Sequence, residues 1–270
     1  MNQVTVKIPH SSPIIKIRCC DNKLLEYICY NMYPHVCFED MHDETLCLFI
    51  DISLCDSGYT IKCNNQCFFA CDQGVVLRSL NRILNDAIVA DYPYLTIHCA
   101  VLSKDTTNYL FVGPTGTGKS TLSAYLSQKG YTYYSDDKAL VDCETQKVIP
   151  FFKPIHLRKG GKLILENKYG INIGEERFNY GGEERYQLHW QSNDFPKERE
   201  LRIIFINREN QKDAAIKQLS VEESLRSLVY NLVYIGKLDQ RIKLALRLVS
   251  KTKCYSLCYH ELWELDELLE

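Results

Sequence analysis

The alternation of apolar and polar positions divides the chain near residue 92. Before this point, short segments rich in β-branched or aromatic residues are separated by polar breaks, which is typical of strands. The helical spacing of apolar residues then predicts one helix over about 75–90. Residues 1–92 are therefore predicted to form a small β-rich N-terminal lobe with one helix. The predicted strands are VTVKI, IIKIR, TLCLFIDI, YTIKC and CFFAC.

The remaining residues, 93–270, predict strands that alternate with helices. A strand at 109–112 precedes a glycine-rich stretch and a helix over 118–129, and a further strand follows at 131–135. We interpret this order as a βαβ unit whose two strands lie side by side. Residues 145–200 are rich in Gly, Pro and charge, and we expect loops there that face a substrate. Later elements are expected to be a buried strand at 201–207, helices over 220–234 and 239–250, a strand at 253–259 and a short terminal helix.

The glycine-rich stretch carries the most specific motif of the chain. Gly113-Pro114-Thr115-Gly116-Thr117-Gly118-Lys119-Ser120 fits the pattern G-x-x-x-x-G-K-[ST] without a mismatch. Its glycines allow backbone N–H groups and the start of the next helix to surround a phosphate. Lys119 is expected to reach the outer phosphates, and the Ser120 hydroxyl is expected to bind Mg²⁺. The candidate nucleotide-binding residues are Gly113, Thr115, Gly116, Thr117, Gly118, Lys119, Ser120 and Thr121.

An acidic pair, Asp136-Asp137, follows the strand after the helix. Because ligands of parallel sheets lie at the carboxyl ends of the strands, we expect both aspartates beside the bound phosphates. One carboxylate could hold Mg²⁺, directly or through water, and the other could accept a proton from an attacking hydroxyl. A base near the γ-phosphate favours a kinase over a nucleotide switch, although water could use the same base.

The stretch from His98 to Asp137 resembles the catalytic domain of HPr kinase/phosphorylase, and still more the shorter HPr-kinase-related proteins that accompany peptide-modification pathways. The shared order is a His on a strand, a short hairpin, the phosphate loop, one helix ending in Gly, and a paired Asp. The resemblance implies an α/β fold with a P-loop kinase core of the HPr kinase / phosphoenolpyruvate carboxykinase type. It also implies an ATP- and Mg²⁺-dependent phosphotransferase.

The same resemblance implies roles for individual residues. Asp136 would be the base, Asp137 a Mg²⁺ partner, and His98 would orient or support the base. The chain lacks the Glu-x-Arg-Gly-type segment of the bifunctional enzymes, which argues against the phosphorylase reaction and against HPr as the acceptor. Arg158 and Arg185 are candidates for stabilising the transferring phosphate, and Arg158 is the stronger of the two. The predicted catalytic residues are therefore Asp136, His98, Lys119 and Arg158.

The composition limits which partners and which location we expect for the protein. The chain has 270 residues with 32 Lys and Arg against 34 Asp and Glu, so its net charge of −2 gives no long-range attraction to nucleic acid or anionic membrane. A signal peptide and an apolar run of about 20 residues are both lacking, which predicts a soluble, cytoplasmic protein. The 13 cysteines are expected to be reduced and mostly buried, with a metal site at Cys63, Cys67 and Cys71 as the alternative.

Taken together, these patterns favour a kinase that phosphorylates a hydroxyl, with Ser the expected acceptor, on a peptide or small protein such as a ribosomally made peptide precursor. One alternative is a kinase for a small molecule such as an amino acid. Another is a nucleotide-binding regulatory module without transfer activity. Decarboxylation of the phosphoenolpyruvate carboxykinase type would need a metal-binding His and Lys set that the sequence does not offer. A homo-oligomer is expected only by analogy of fold.

Overall fold

The computed structural model shows a mixed α/β protein with several sheets. It describes residues 2–7, 11–32, 36–37, 47–87, 89–90, 93–151, 153–175, 177–188, 196–207, 213–233 and 238–270. Before residue 93 the strands are β1 (Asn2–Val6), β2 (Ser11–Ser12), β3 (Ile14–Cys19), β4 (Val36–Cys37), β5 (Cys47–Cys55), β6 (Gly58–Cys63), β7 (Gln66–Ala70) and β8 (Val89–Ala90), and the helices are α1 (Asn22–Met32) and α2 (Gln73–Ala87).

Most strands before residue 93, a part of the chain called the N-terminal lobe below, form a six-stranded sheet in the order β4-β1-β3-β5-β6-β7. Strands β3 and β5 are parallel and the other neighbours are antiparallel. The five predicted strands and helix α2 are confirmed. The expectation of a single helix was wrong, because α1 begins after Asp21, whose carboxylate accepts hydrogen bonds from the N–H groups of Lys23 and Leu24. Buried Leu24 and Ile28 then pack α1 against the sheet.

From residue 93 onward, most elements surround a second six-stranded sheet. The strands are β9 (Tyr94–Ile97), β10 (Cys99–Lys104), β11 (Thr107–Val112), β12 (Thr132–Ser135), β13 (Ala139–Asp142), β14 (Val148–Pro150), β15 (Ile155–Arg158), β16 (Arg177–Tyr180), β17 (Glu183–Leu188), β18 (Glu200–Ile206), β19 (Ala215–Gln218) and β20 (Lys253–Cys258). The helices are α3 (Lys119–Gln128), α4 (Lys159–Tyr169), α5 (Val221–Val229), α6 (Leu238–Lys251) and α7 (Glu264–Leu268).

The strand order of this central sheet, β12-β10-β11-β18-β20-β19, corrects one prediction. Strand β12 was expected beside β11, but β10 lies between them. The reason is the tight hairpin of β10 and β11, which turns at Asp105 and occupies that side of β11. Because β10 is antiparallel to both neighbours, β11 and β12 still run in the same direction. Their carboxyl ends therefore still meet at one edge of the sheet.

Both faces of the central sheet are buried. Leu102 and Phe111 belong to a core shared with α3, α4 and α7. Val101 and Leu110 point the other way, into a core shared with α5, α6 and the sheet β14-β13-β9. The continuous apolar runs of β10 and β11 are the sequence counterpart of this two-sided burial.

Helix α5 ends earlier than predicted. Its capping box at Ser220 and Glu223 is confirmed, but the helix stops at Val229 instead of near residue 234. The chain then pairs with the edge of β9, where the N–H of His98 donates to the carbonyl of Asn231 over 2.9 Å. The predicted strand at 201–207, the helix at 239–250, the strand at 253–259 and the terminal helix are all confirmed. Among the described helices, none combines the length and apolar character that crossing a membrane requires.

The prediction of loops over 145–200 was wrong in part. This region forms strand β14, a three-stranded antiparallel sheet in the order β15-β17-β16, and helix α4. Residues 189–195 lie outside the described part of the chain. The sheet β15-β17-β16 lies beside α3, the helix that follows the glycine-rich loop, and α2 packs against β16.

Candidate active site

The glycine-rich loop connects β11 directly to α3. Gly116 and Gly118 have φ values of 94° and 90°, a left-handed conformation that residues with side chains rarely adopt. Gly118 is also the N-cap of α3, and no described side chain caps the helix there. The first N–H groups of α3 thus have no side-chain acceptor and face the loop, which is the arrangement that suits an anion.

Lys119 is buried and bends back over the loop. Its ammonium group donates hydrogen bonds to the carbonyl oxygens of Gly113, over 2.5 Å, and Pro114, over 3.1 Å. Burial lowers the pKa of Lys119, against the attraction of the acidic pair. A phosphate in the loop would offer this ammonium stronger, charged acceptors than two carbonyl groups.

A cavity of about 560 Å³ lies over the loop and contains most of the predicted nucleotide-binding residues. Thr117 and Gly113 are not among its lining residues. The Thr117 hydroxyl donates instead to the carbonyl of Pro114 over 2.9 Å, which stabilises the loop. The predicted residues that do line the cavity are Thr115, Gly116, Gly118, Lys119, Ser120 and Thr121.

Asp136 lies at the carboxyl end of β12 and is 9% exposed. The Ser120 hydroxyl lies beside its carboxylate. The Tyr133 hydroxyl donates to the carbonyl of Lys153 over 2.8 Å. Burial raises the pKa of Asp136, while Lys153 and the Ser120 hydroxyl oppose the shift. Asp136 and Ser120, the last residue of the glycine-rich loop, therefore line the same cavity.

Asp137 has different partners. Its Oδ2 lies 3.4 Å from the Nζ of Lys153. Burial alone would raise the pKa of Asp137, but Lys153, Lys138 and His98 together hold it well below its usual range. In turn, Asp137 and Asp136 raise the pKa of Lys153 against its burial. Asp137 is thus kept ionised by a cation that sequence reasoning did not find.

His98 lies beside Asp137, whereas the resemblance implied that it would support Asp136. Its Nδ1 is 2.6 Å from the carbonyl oxygen of Asp137, and 3.8 Å from the nearer carboxylate oxygen of the same residue. Because a carbonyl only accepts, Nδ1 carries the proton. Burial and the nearby Lys119 lower the pKa of His98. The position follows from the short link between β9 and β10, which lies against the turn after β12.

The far wall of the cavity is the sheet β15-β17-β16. Arg158, at the end of β15, is exposed, and Arg185, on β17, has a side chain only 15% exposed. Both line the cavity together with Lys153, His156 and Tyr180. The structure thus brings both predicted arginines to the site of the acidic pair.

Sequence reasoning missed Lys153, His156 and Tyr180. In the stretch "KPIHLR", His156 and Arg158 alternate with buried Ile155 and Leu157, which is a strand pattern. Pro154 obscured it, because a proline usually lies outside or at the start of a strand. The alternation is the signal that could have indicated a cavity-lining strand.

The N-terminal lobe supports this wall from behind. The Asn81 side chain donates to the Tyr180 hydroxyl over 3.2 Å, and the Tyr27 hydroxyl donates to the carbonyl of Asn179. Helix α2 approaches β16 so closely that a Cβ added at Gly74 would lie 2.2 Å from the carbonyl oxygen of Asn179. Two side-chain hydrogen bonds and one close backbone approach thus link the cavity wall to α1 and α2.

The site offers oxygen ligands for a metal ion. Within the part of the chain that the structure describes, no group of three or more His, Cys, Asp or Glu side chains could hold a metal. Ser120 and the two aspartates supply the hard oxygen donors that Mg²⁺ prefers, and Mg²⁺ ordinarily completes its shell with water and nucleotide phosphates. Of the cysteine cluster, Cys63 is buried, Cys67 and Cys71 are exposed, and all three are free thiols.

No protein-family model matches the chain, and no curated protein matches it in sequence. The assignment of a function therefore rests on the residues of the site and on their geometry.

Proposed function

We propose that the protein is an ATP- and Mg²⁺-dependent kinase that phosphorylates a hydroxyl, with Ser the expected acceptor, on a peptide or small protein. A P-loop kinase core of the HPr kinase type is part of this proposal. The observation that carries it is the position of Asp136, a buried carboxylate that lies beside the Ser120 hydroxyl at the end of the glycine-rich loop and lines the same cavity. The cavity continues beyond this carboxylate, leaving space for an acceptor.

The loop side of the cavity supports the nucleotide part of the proposal. The start of α3 and the backbone of the glycine-rich loop would bind the phosphates, and Lys119 would exchange its two carbonyl partners for phosphate oxygens. Ser120 and Asp137 would hold Mg²⁺, which neutralises phosphate charge when bound.

The acidic pair supports transfer to a hydroxyl. The acceptor oxygen would form a bond to the γ-phosphorus, the bond from that phosphorus to ADP would break, and the hydroxyl proton would pass to Asp136. Asp136 suits this role by position, because it lies directly against the loop. Asp137 is engaged by Lys153 and keeps its negative charge beside the reaction.

The test is incubation with γ-labelled ATP and Mg²⁺ in the presence of HPr, free serine and Ser-containing peptides, with mass spectrometry to locate the phosphate. Labelled peptide or protein supports the proposal. Label on free serine alone would indicate a small-molecule kinase, and label released only as inorganic phosphate would indicate a hydrolase. Binding of ATP without turnover would indicate a regulatory module.

A further inference from the structure

Two arginines face each other on the cavity wall. In the register of β15 and β17, Arg158 lies directly opposite Arg185, so both side chains leave the same face of the sheet. Like charges at directly opposed positions destabilise a sheet unless something compensates them. The pair therefore requires an explanation in terms of its surroundings.

The described carboxylates compensate this wall only in part. Glu183 accepts a hydrogen bond from Arg185, and its Oε2 also lies 3.8 Å from the Nε of Arg158, so one carboxylate serves both arginines. The third cation of the wall, Lys153, is matched by Asp137. The two arginines thus share one carboxylate, beside a cavity where solvent screens their repulsion less than at an open surface.

Arg185 also has an unused donor. Its Nε is buried and has no hydrogen-bond partner among the described residues, although a guanidinium can only donate. The guanidinium lies over the Tyr180 ring, 5.9 Å from its centroid, which restricts its orientation. The Nε2 of His156, two residues before Arg158 on the same face, is likewise buried without a partner. An acceptor atom is therefore missing beside the Nε of Arg185.

We propose that Arg158 and Arg185 form a subsite for a carboxylate that the phosphate acceptor carries within one or two residues of its hydroxyl. Arginine binds planar carboxylates through parallel N–H groups, which matches the chemistry of the unused donor. This inference rests on the proposed kinase function and specifies its acceptor as an acidic one.

The position of the pair favours the acceptor over the transferring phosphate as its ligand. The phosphates already have Lys119 and the start of α3 on the side of the central sheet. Arg185 lies on the β16–β17 hairpin, which contacts α2 through Tyr180, and Arg158 lies on the neighbouring strand β15. The acidic pair lies on the same cavity, so a hydroxyl presented from the wall would reach the proton acceptor.

Binding of amidated Ser peptides, measured by calorimetry with Mg²⁺ and a non-hydrolysable ATP analogue, tests the subsite. The peptides differ only in having Glu, Gln or Lys beside the Ser, and a further Gln peptide ends in a free carboxylate next to the Ser. We expect one or both carboxylate-bearing peptides to bind about 10- to 100-fold more tightly than the amidated Gln peptide. Equal binding of all peptides to the wild-type protein would overturn the inference.

Variants link this preference to the arginines. Arg185→Gln is expected to reduce the preference to within about threefold, and the double variant Arg158→Glu, Arg185→Glu is expected to prefer the Lys peptide. The control is Arg177→Gln on β16, which lies on the opposite face of the same hairpin and pairs with exposed Glu184. Retention of the full preference by folded Arg185→Gln, as judged by thermal unfolding, would contradict the subsite.

Transfer assays separate this inference from the proposed function. In the kinase assay, Arg185→Gln is expected to raise KM for carboxylate-bearing peptides more than it lowers kcat. A uniform loss of kcat for every peptide, with KM unchanged, would place Arg185 on the transferring phosphate and overturn the subsite. Preferential binding of carboxylate-bearing peptides without any transfer would support the subsite and contradict the kinase.

Discussion

Asp136, at the carboxyl end of β12, lies beside the hydroxyl of Ser120, at the end of the glycine-rich loop. The two residues meet although β10 separates β12 from β11 in the sheet. They meet because β11 and β12 run in the same direction, so both strands end at the same edge of the sheet. The consequence is that the Ser120 hydroxyl and the Asp136 carboxylate lie on one cavity, where the proposed kinase would hold its metal ion, its base and the phosphates.

Asp136→Asn tests the role of the carboxylate. The amide keeps the size and shape of the carboxylate, but it cannot take a proton. We expect phosphate transfer to fall by about 100-fold or more, and the Kd for ATP to stay within a few-fold, because general-base catalysis contributes about 10²–10⁴-fold. The measurement is single-turnover transfer, with Asp105→Asn in the β10–β11 turn as the control. Recovery of the rate at high Mg²⁺ would instead indicate that Asp136 binds the metal.

Lys119→Ala tests the phosphate loop. The variant removes the buried ammonium that now bonds two loop carbonyls and would bond phosphate oxygens. We expect the Kd for ATP to rise about 10- to 100-fold, because a hydrogen bond between charged groups contributes about 1.5–3 kcal/mol, and turnover to fall as well. Lys129→Ala, at the other end of α3, removes a partly exposed ion pair with Asp266 and is the matched control. Equal ATP binding by both variants would exclude the loop as the nucleotide site.

Gly74→Ala tests whether the N-terminal lobe positions the cavity wall. The new Cβ would lie 2.2 Å from the carbonyl oxygen of Asn179, so α2 and β16 must move apart. We expect a loss of about 1–3 kcal/mol in the free energy of unfolding and a higher KM for the peptide, with ATP affinity retained. At Gly160 an added Cβ meets no atom within 4 Å, so Gly160→Ala is the stability control. An unchanged peptide KM in Gly74→Ala would mean that the wall does not depend on α2.

The pH dependence of stability reports on His156. Burial, together with Lys153, holds the pKa of His156 well below its usual range. Below about pH 6.5 the unfolded chain therefore binds a proton that the folded chain does not, and the free energy of unfolding falls as the pH falls. His156→Phe keeps a ring beside Phe178, whose centroid lies 4.6 Å away, and removes this proton.

We therefore measure the free energy of unfolding by denaturant titration at pH 7.5 and at pH 5.5. We expect it to fall less between these pH values in His156→Phe than in the wild type. The full contribution of one such group is about 1.4 kcal/mol per pH unit below its unfolded pKa. Burial also lowers the pKa of His98, so His98 still contributes to the pH dependence of stability in His156→Phe. The same pH dependence in both proteins would show that His156 does not titrate as described.

The elements whose pattern is local could be predicted from the sequence. The strand, glycine-rich loop and helix over 109–129 follow from apolar runs and a phosphate-loop motif within 21 residues, and the capping box of α5 is four residues long. The position of β12 could not be predicted, because it depends on the edge that the β10–β11 hairpin leaves free. The position of β12 is determined by strand pairing between residues far apart in the sequence, and no local sequence pattern indicates it.

The sheet and helix of the cavity wall could not be predicted from the sequence for a related reason. Gly160 and Gly161 in the first turn of α4 lower its helix propensity, and Pro154 interrupts the strand pattern before β15. The sequence therefore indicated both arginines as candidates but not Lys153, whose partner Asp137 lies 16 residues earlier. The sequence could not show which aspartate lies beside His98, because Asp136 and Asp137 are adjacent in the chain. Tertiary packing places Asp137 there.

The central claim is that the protein transfers the γ-phosphoryl group of ATP to a hydroxyl with Asp136 as proton acceptor. The most direct measurement incubates the protein with γ-labelled ATP, Mg²⁺ and a peptide that has Glu beside its Ser. Phosphoserine and ADP are then quantified for the wild-type protein and for Asp136→Asn. The account predicts phosphoserine in amounts that match the ADP formed by the wild type, and at least about 100-fold less with the variant. ADP formation with all label in inorganic phosphate, or equal phosphoserine from both proteins, would contradict it.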